Sequence, residues 1–322
     1  MRPTRLLALA LGIGVLAACS NNASQSNAGG TASTAPGAGG TAMTIGVSIQ
    51  NREAQFYQDM ESGMKSEAAK YGYKLIVVDA SRDNAKQQSQ VEDFISNKVG
   101  AIVLTPYDST AIGSAIAEAN NAKIPVFTAD IASTSKRGTV VAHIASDNVQ
   151  GGEQAGKLMC AAVGKSGTVA IIDEPEVTSV QDRVKGFKQA LAAGCPGVKV
   201  VADVDAGGQR DKANSDMSDL LQSNPHLSGV FGINDDSALG ALTAVRAAGL
   251  NGKIAIVGYD ATPEARAAIK AGDMYGDAIQ YPEKIGELTI DTIHDYFAGK
   301  KPPAVVHVNV GSFTKADATK AK

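Results

Sequence analysis

The 322-residue chain is 44% hydrophobic with a formal net charge of −3, enough apolar material for two ordinary domain cores. No basic stripe or arginine cluster breaks the near-balanced charge, which argues against a nucleic-acid partner. Trp is absent and aromatics make up 5% of residues, which argues against a large exposed hydrophobic interface.

The chain opens on an export signal. Arg2 and Arg5 precede an apolar run over 6–15 that is too short to anchor stably across a bilayer. The run ends in Leu16-Ala17-Ala18-Cys19, which resembles the lipobox of bacterial lipoproteins. That resemblance implies cleavage before Cys19, a diacylglyceryl thioether on its sulfur and acylation of its new amino group. Several acyl chains hold a soluble domain to a membrane where one binds reversibly. Residues 1–18 are therefore expected to be a signal peptide, and loss of Arg2 and Arg5 leaves 28 basic against 33 acidic side chains, a mature charge of −5. Residues 19–43, the lipidated Cys followed by a run dominated by Asn, Ser, Gly, Thr and Ala, cannot bury a core and read as a flexible tether. The expected location is the cell envelope, on its periplasmic or extracytoplasmic face, with membrane contact through the lipid alone.

Strands are predicted at Thr44–Ile49, Lys74–Asp79, 101–105 and 125–130, with helices over 55–71, 84–97 and 109–122 between them. In the first helix Phe56, Met60, Met64 and Ala68 recur at a spacing of four and share one face. Continuous apolar strands alternating with helices specify a parallel sheet covered on both sides. A buried strand at 140–145 then runs into Ser146-Asp147-Asn148, whose side chains suit a helix start. The series restarts with strands at 168–174, 199–206, 229–234 and 254–260, and helices at 179–193, 209–222, 237–248 and Pro263–Ala271. Strand starts lie 30, 27 and 24 residues apart in the first series and 31, 30 and 25 in the second. Two copies of one βα series imply an α/β fold of two Rossmann-like, doubly wound lobes, with 140–148 crossing between them. Extended segments at 274–280 and 304–310 flank a helix at 282–298, so the chain returns to the first lobe and crosses again. The lobes are expected at 44–146 plus 281–310 and at 147–280 plus 311–322, joined by a multi-strand hinge. The tail 314–322 is expected to fray.

Ligands of open parallel sheets bind beyond the carboxyl ends of strands. Those ends offer Gln50, Asn51, Asp79, Thr105 and Asp130 in the first lobe, and Asp173, Asp205, Asn234, Asp260 and Gln280 in the second. The turn Gln50-Asn51-Arg52-Glu53 lacks the glycines that let a backbone approach a pyrophosphate, so no nucleotide cofactor is expected, and nothing else in the chain calls for one. His143, His226, His294 and His307 are dispersed without ligand spacing, so no metal is expected. The absence of a nucleophile–base constellation argues against an enzyme. Asp235-Asp236, at a helix start, read as capping acids favoured by the helix dipole.

What lifts the strand-end acids and amides above turn formers is their recurrence at the same edge of both lobes. A sugar hydroxyl both donates and accepts, so a dry sugar site needs fixed carboxylates, amides and a guanidinium. Arg183, near the start of the second lobe's first helix, supplies the last, and Phe56 and Tyr57 offer rings to cover a sugar's C–H surface. With Cys19 taken by lipid, Cys160 and Cys195 remain as an even pair in an oxidising compartment; a disulfide is expected over two free thiols, though the sequence gives no distance.

The strings HIASDNVQGG at 143–152, RVKGF at 183–187, GINDDSALGAL at 232–242, VGYDATP at 257–263 and AIQYPEKIG at 278–286 carry a family resemblance. From about Thr44 to Val310 the chain resembles the ribose-binding group of periplasmic sugar-binding proteins, the type I fold shared with the sensory domains of LacI-type repressors. The resemblance implies that Phe56 and Tyr57 are an aromatic pair against the ligand, and that Asp130, Arg183, Asn234, Asp260 and Gln280 are polar contacts. Gln50 stands where the ribose binder has a serine, Ala54 where it has an asparagine, Ile131 where it has an arginine and Gly208 where it has an aromatic. These departures imply a small polyhydroxylated ligand for which ribose is not the best choice. The implied role is that of a monomeric, lipid-tethered substrate-binding protein of a sugar ABC importer. Its partners would be a permease with its ATPase; the alternative is a sugar-sensing receptor that presents ligand to a chemoreceptor or sensor kinase. The export signal and the lack of a helix-turn-helix exclude a repressor.

Overall fold

A computed structural model describes residues 42–320 of the chain. The expected signal peptide, the lipidated Cys19 and the tether up to residue 41 lie outside the described residues. In the first half, β1 (Thr44–Ile49), α1 (Gln55–Lys70), β2 (Lys74–Asp79), α2 (Asn84–Ser96), β3 (Ala101–Leu104), α3 (Gly113–Asn121), β4 (Val126–Ala129) and β5 (Val140–Ser146) follow in order. The second series runs α4 (Asn148–Val163), β6 (Ser166–Asp173), α5 (Thr178–Gly194), β7 (Gly197–Asp205), α6 (Arg210–Ser223), β8 (Gly229–Gly232), α7 (Asp235–Ala247), β9 (Ala255–Asp260), α8 (Pro263–Ala271) and β10 (Gly276–Ile279). It closes with α9 (Pro282–Phe297), β11 (Val305–Val308), β12 (Gly311–Thr314) and α10 (Lys315–Lys320).

The strands form two six-stranded sheets, ordered β11-β5-β4-β3-β1-β2 and β12-β10-β9-β8-β6-β7. All pairings are parallel except β10 with β12. Each sheet separates two apolar layers because successive side chains point to opposite faces. Ile45, Val47 and Ile49 pack with Met60 and Met64 of α1 and Ile290 of α9, whereas Ile102 and Leu104 meet Phe94 of α2 and Ile116 of α3. The second sheet is likewise sandwiched between a cluster around Met217 and Leu242 and another around Met159 and Phe187.

Three connections pass between the sheets. Asp147 caps α4 by accepting from Gln150 N at 3.0 Å, so the chain leaves β5 and enters a helix packed on β9 and β10. It returns from β10 through α9 to β11, and crosses a third time into β12. Two expectations need correction. The segment 109–112 is not helical: Asp108 Oδ1 accepts from Thr110 N and Ala111 N, holding a turn before α3 starts. The tail does not fray before residue 320. Thr314 ends β12, its N and Oγ1 both bond to Asp317 Oδ2, and Phe313 and Ala318 join the second-lobe core. A polar hexamer hides this, because its order comes from the strand before it.

Helices α4 and α5 approach backbone to backbone. A Cβ on Gly152 would collide with the Arg183 carbonyl, and one on Gly186 with that of Val149. Only glycine permits this approach, which fixes the position of Arg183. Cys160 of α4 and Cys195, the C-terminal cap of α5, are joined by a disulfide with their Cα atoms 5.7 Å apart.

Candidate functional site

Gln50, Phe56, Tyr57, Asp130, Arg183, Asn234, Asp260 and Gln280 all line one cavity between the two sheets' carboxyl edges. Asp79, Thr105, Asp173 and Asp205, the other strand-end candidates, do not line it. Asp79 accepts from Ser81 N, Asp173 from Glu174 N and Asp205 from Gly207 N, so these are turn formers. The Thr105 carbonyl accepts from Gln87 Nε2.

From the first lobe, Asn51 Oδ1 accepts from Glu53 N and Ala54 N, a turn that delivers Phe56 and Tyr57 to the cavity at the head of α1. Their rings meet edge to face, 5.2 Å between centroids. The Tyr57 hydroxyl donates to Asp130 Oδ2 at 3.3 Å, while buried Asp130 Oδ1 has no protein donor. Burial raises the Asp130 pKa to about 6, with Arg183 and the Tyr57 hydroxyl pulling it down. Asp130 also sits at φ +65°, in the left-handed region that Asp tolerates better than most side chains.

From the second lobe, Arg183 is a buried side chain of the cavity wall. Its Nε donates to Asn148 Oδ1 at 2.9 Å and its Nη1 to the Ile233 carbonyl at 2.9 Å. Asn234 caps α7 by accepting from Ser237 N at 2.8 Å and donates to the Gly208 carbonyl at 3.2 Å. The Gln280 amide donates to Asp260 Oδ1 at 2.7 Å, and its own Oε1 is buried without a donor. Burial lifts Asp260 to about 7 against the pull of Arg183 and Gln280.

Two ionisable groups on the cavity wall escaped the sequence reading, Arg82 and Glu174. Arg82 sits at φ +56° in the turn after β2 and pairs with Glu53. Glu174 follows β6 and accepts from the Gln50 amide across the cleft at 3.1 Å. Nothing in Asp173-Glu174-Pro175-Glu176 distinguishes the one acid that turns inward. Asp235 is corrected too: Asn234 is the cap, and Asp235 is buried, accepting from Thr262 N at 2.6 Å. Ile131 and Gly208, expected departures, both line the cavity. Ile131 packs with Val177 and Val180 of the opposite lobe. Further contacts cross between the lobes from Ser109 N to the Glu176 carbonyl at 3.2 Å and from Thr178 N to Ser109 Oγ at 3.0 Å.

A profile of the periplasmic binding protein domain matches residues 45–301. The ribose import binding protein RbsB of Bacillus subtilis (strain 168) is 36% identical over 259 residues, covering 80% of this chain and 83% of that protein. A periplasmic solute binding protein of an ABC transporter from Actinobacillus succinogenes 130z, solved with bound D-allose, superposes with a TM-score of 0.80 at 30% identity, covering 86% of this chain and 99% of that one. The Caulobacter myo-inositol binding protein, solved with myo-inositol, superposes with a TM-score of 0.81 at 31% identity, covering 88% and 96%. The chain therefore belongs to the periplasmic binding protein family, among the ribose-type sugar-binding proteins, which are binding proteins of transporters and not enzymes.

Proposed function

We propose that the chain is a lipid-anchored extracytoplasmic binding protein that closes its lobes around a monosaccharide or polyol and delivers it to an ABC importer. The observation carrying this reading is the convergence of eight acid, amide, guanidinium and aromatic side chains from both sheets on one cavity, with Asp130 Oδ1 and Gln280 Oε1 left as acceptors for a ligand. The lobes divide at 44–146 plus 281–310 and 147–280 plus 311–322, so three chain crossings act as the hinge. Ligand contacts made to both lobes favour the closed form, and the permease reads that closed surface. Relatives named for ribose and structures solved with D-allose and myo-inositol bracket the ligand class. The lipid anchor rests on the Leu16–Cys19 string.

A thermal-shift screen against pentoses, hexoses and polyols tests the reading, because a tight ligand stabilises by mass action; at about 100 Kd the gain is about 2.7 kcal/mol. At least one of these ligands should raise Tm by several degrees, with ribose not the best of them. No shift with any sugar or polyol at millimolar concentration would overturn the reading.

A further inference from the structure

The cavity is rich in hydrogen-bond acceptors and poor in donors. Asp130 Oδ1 and Gln280 Oε1 are buried without donors, and Glu174 gives only one of its oxygens to Gln50. On the donor side, Arg183 commits Nε and Nη1 to Asn148 and Ile233, and Arg82 is paired with Glu53 through Nη1 while its buried Nε has no acceptor. Three carboxylates, Asp130, Glu174 and Asp260, thus share the cavity wall with two guanidinium groups, Arg183 and Arg82.

Glu174 owes its place to Gly208. A Cβ at 208 would lie 2.6 Å from Glu174 Oε2 and 3.0 Å from Asn234 Nδ2, and the φ of +63° is one that side chains resist. The bare backbone leaves Oε2 facing the cavity. Burial pushes Glu174 up to about 7, while Arg82, the Gln50 amide and Arg183 pull it down. A buried carboxylate oxygen in that setting gains from any donor brought to it.

We propose that Glu174 is a specificity-determining residue whose free oxygen accepts a ligand hydroxyl, so that the site selects sugars or polyols bearing a hydroxyl at that end over analogues lacking it. This rests on the proposed sugar or polyol function. The E174Q change keeps the side chain's shape and an oxygen for Gln50, and turns an amide toward the ligand.

Calorimetric titration of wild type and E174Q with myo-inositol, D-allose, D-ribose and xylitol, and with each monodeoxy analogue of the tightest binder, tests this. E174Q should bind the tightest ligand at least about tenfold more weakly. One monodeoxy analogue should bind both proteins within about threefold, because it lacks the hydroxyl that residue 174 meets. The order of preference across the panel then changes, which a merely structural role would not produce. The unliganded E174Q protein should melt no lower than wild type; if it does not fold, E174D, which withdraws the carboxylate by one methylene, is put through the same comparison. Equal affinities, or the same fold-loss for every ligand, would overturn the inference and leave the proposed function standing. Wild type binding none of the panel would overturn both.

Discussion

The guanidinium of Arg183 lies 4.1 Å above the ring of Tyr259, and both side chains donate to Asn148 Oδ1, at 2.9 and 3.2 Å. Three elements, α5, β9 and α4, are thereby tied beneath the cavity. Arg183 holds this position because Gly152 and Gly186 let its helix approach α4 so closely. R183A should abolish ligand binding and also lower Tm, since the Ile233 carbonyl loses a buried donor at about 1–3 kcal/mol while Asn148 Oδ1 keeps only Tyr259. Calorimetry and a melting curve check both outcomes; near-wild-type affinity would remove Arg183 from the site.

Asp130 separates binding from folding more cleanly. D130N retains a residue type that tolerates φ +65° and removes a buried charge whose Oδ1 has no protein donor. The unliganded variant should be at least as stable as wild type at pH 8. Its affinity should fall about ten- to a hundredfold, the worth of one charged hydrogen bond. Unchanged affinity in a titration would contradict this.

Asp277 of β10 and Asp235 of α7 face each other behind the site, near Asp260 of β9 and Arg266 of α8. Both are buried against Gly258, and neither Asp277 oxygen nor Asp235 Oδ1 has a protein donor, so a bond between them needs a proton kept on one. Burial raises Asp277 to about 7 and Asp235 in the same direction. With the folded pKa above the unfolded one, the folded state binds more protons. Stability is then fully present below about pH 4 and is lost as pH rises through the raised folded values, about 7 for Asp277. D277N supplies an amide donor to Asp235 at every pH. It should flatten the slope between pH 4 and 7 and raise Tm at pH 8, by about 2–4 °C for each kcal/mol recovered. Parallel wild-type and D277N melting curves across that range would contradict the assignment.

The Cys160–Cys195 disulfide closes a sequence separation of 35. Chain entropy assigns such a loop about 3–4 kcal/mol. Purified from an oxidising compartment, the protein should carry no free thiol at either position by mass spectrometry without reduction. The C160S/C195S double variant should melt about 5–15 °C lower. Two free thiols after native purification would contradict the bridge.

Strand ends were legible because a buried parallel strand is a continuous apolar run whose last polar residue marks the carboxyl edge. Asp130, Asn234, Asp260 and Gln280 were found that way. Arg183 was legible from its place near the start of its helix and from the RVKGF string at 183–187. Glu174 and Arg82 were not, since each lies in a turn where neighbouring residues of the same charge or polarity give no direction. Asp235 was misread for a related reason. Its partners Thr262 and Asp277 are distant in sequence, so local pattern offers only the cap reading. The ordered tail went unseen because β12 is defined by its antiparallel pairing with β10 and by little in its own four residues.

The proposed function requires that one ligand be held by both lobes at once. Small-angle X-ray scattering of the protein, without ligand and then with a saturating sugar or polyol taken from the thermal screen, tests it most directly. The expected result is a smaller radius of gyration with ligand, at one ligand per chain, and no such change for R183A. A ligand that binds tightly to wild type while leaving the scattering profile unchanged would contradict it.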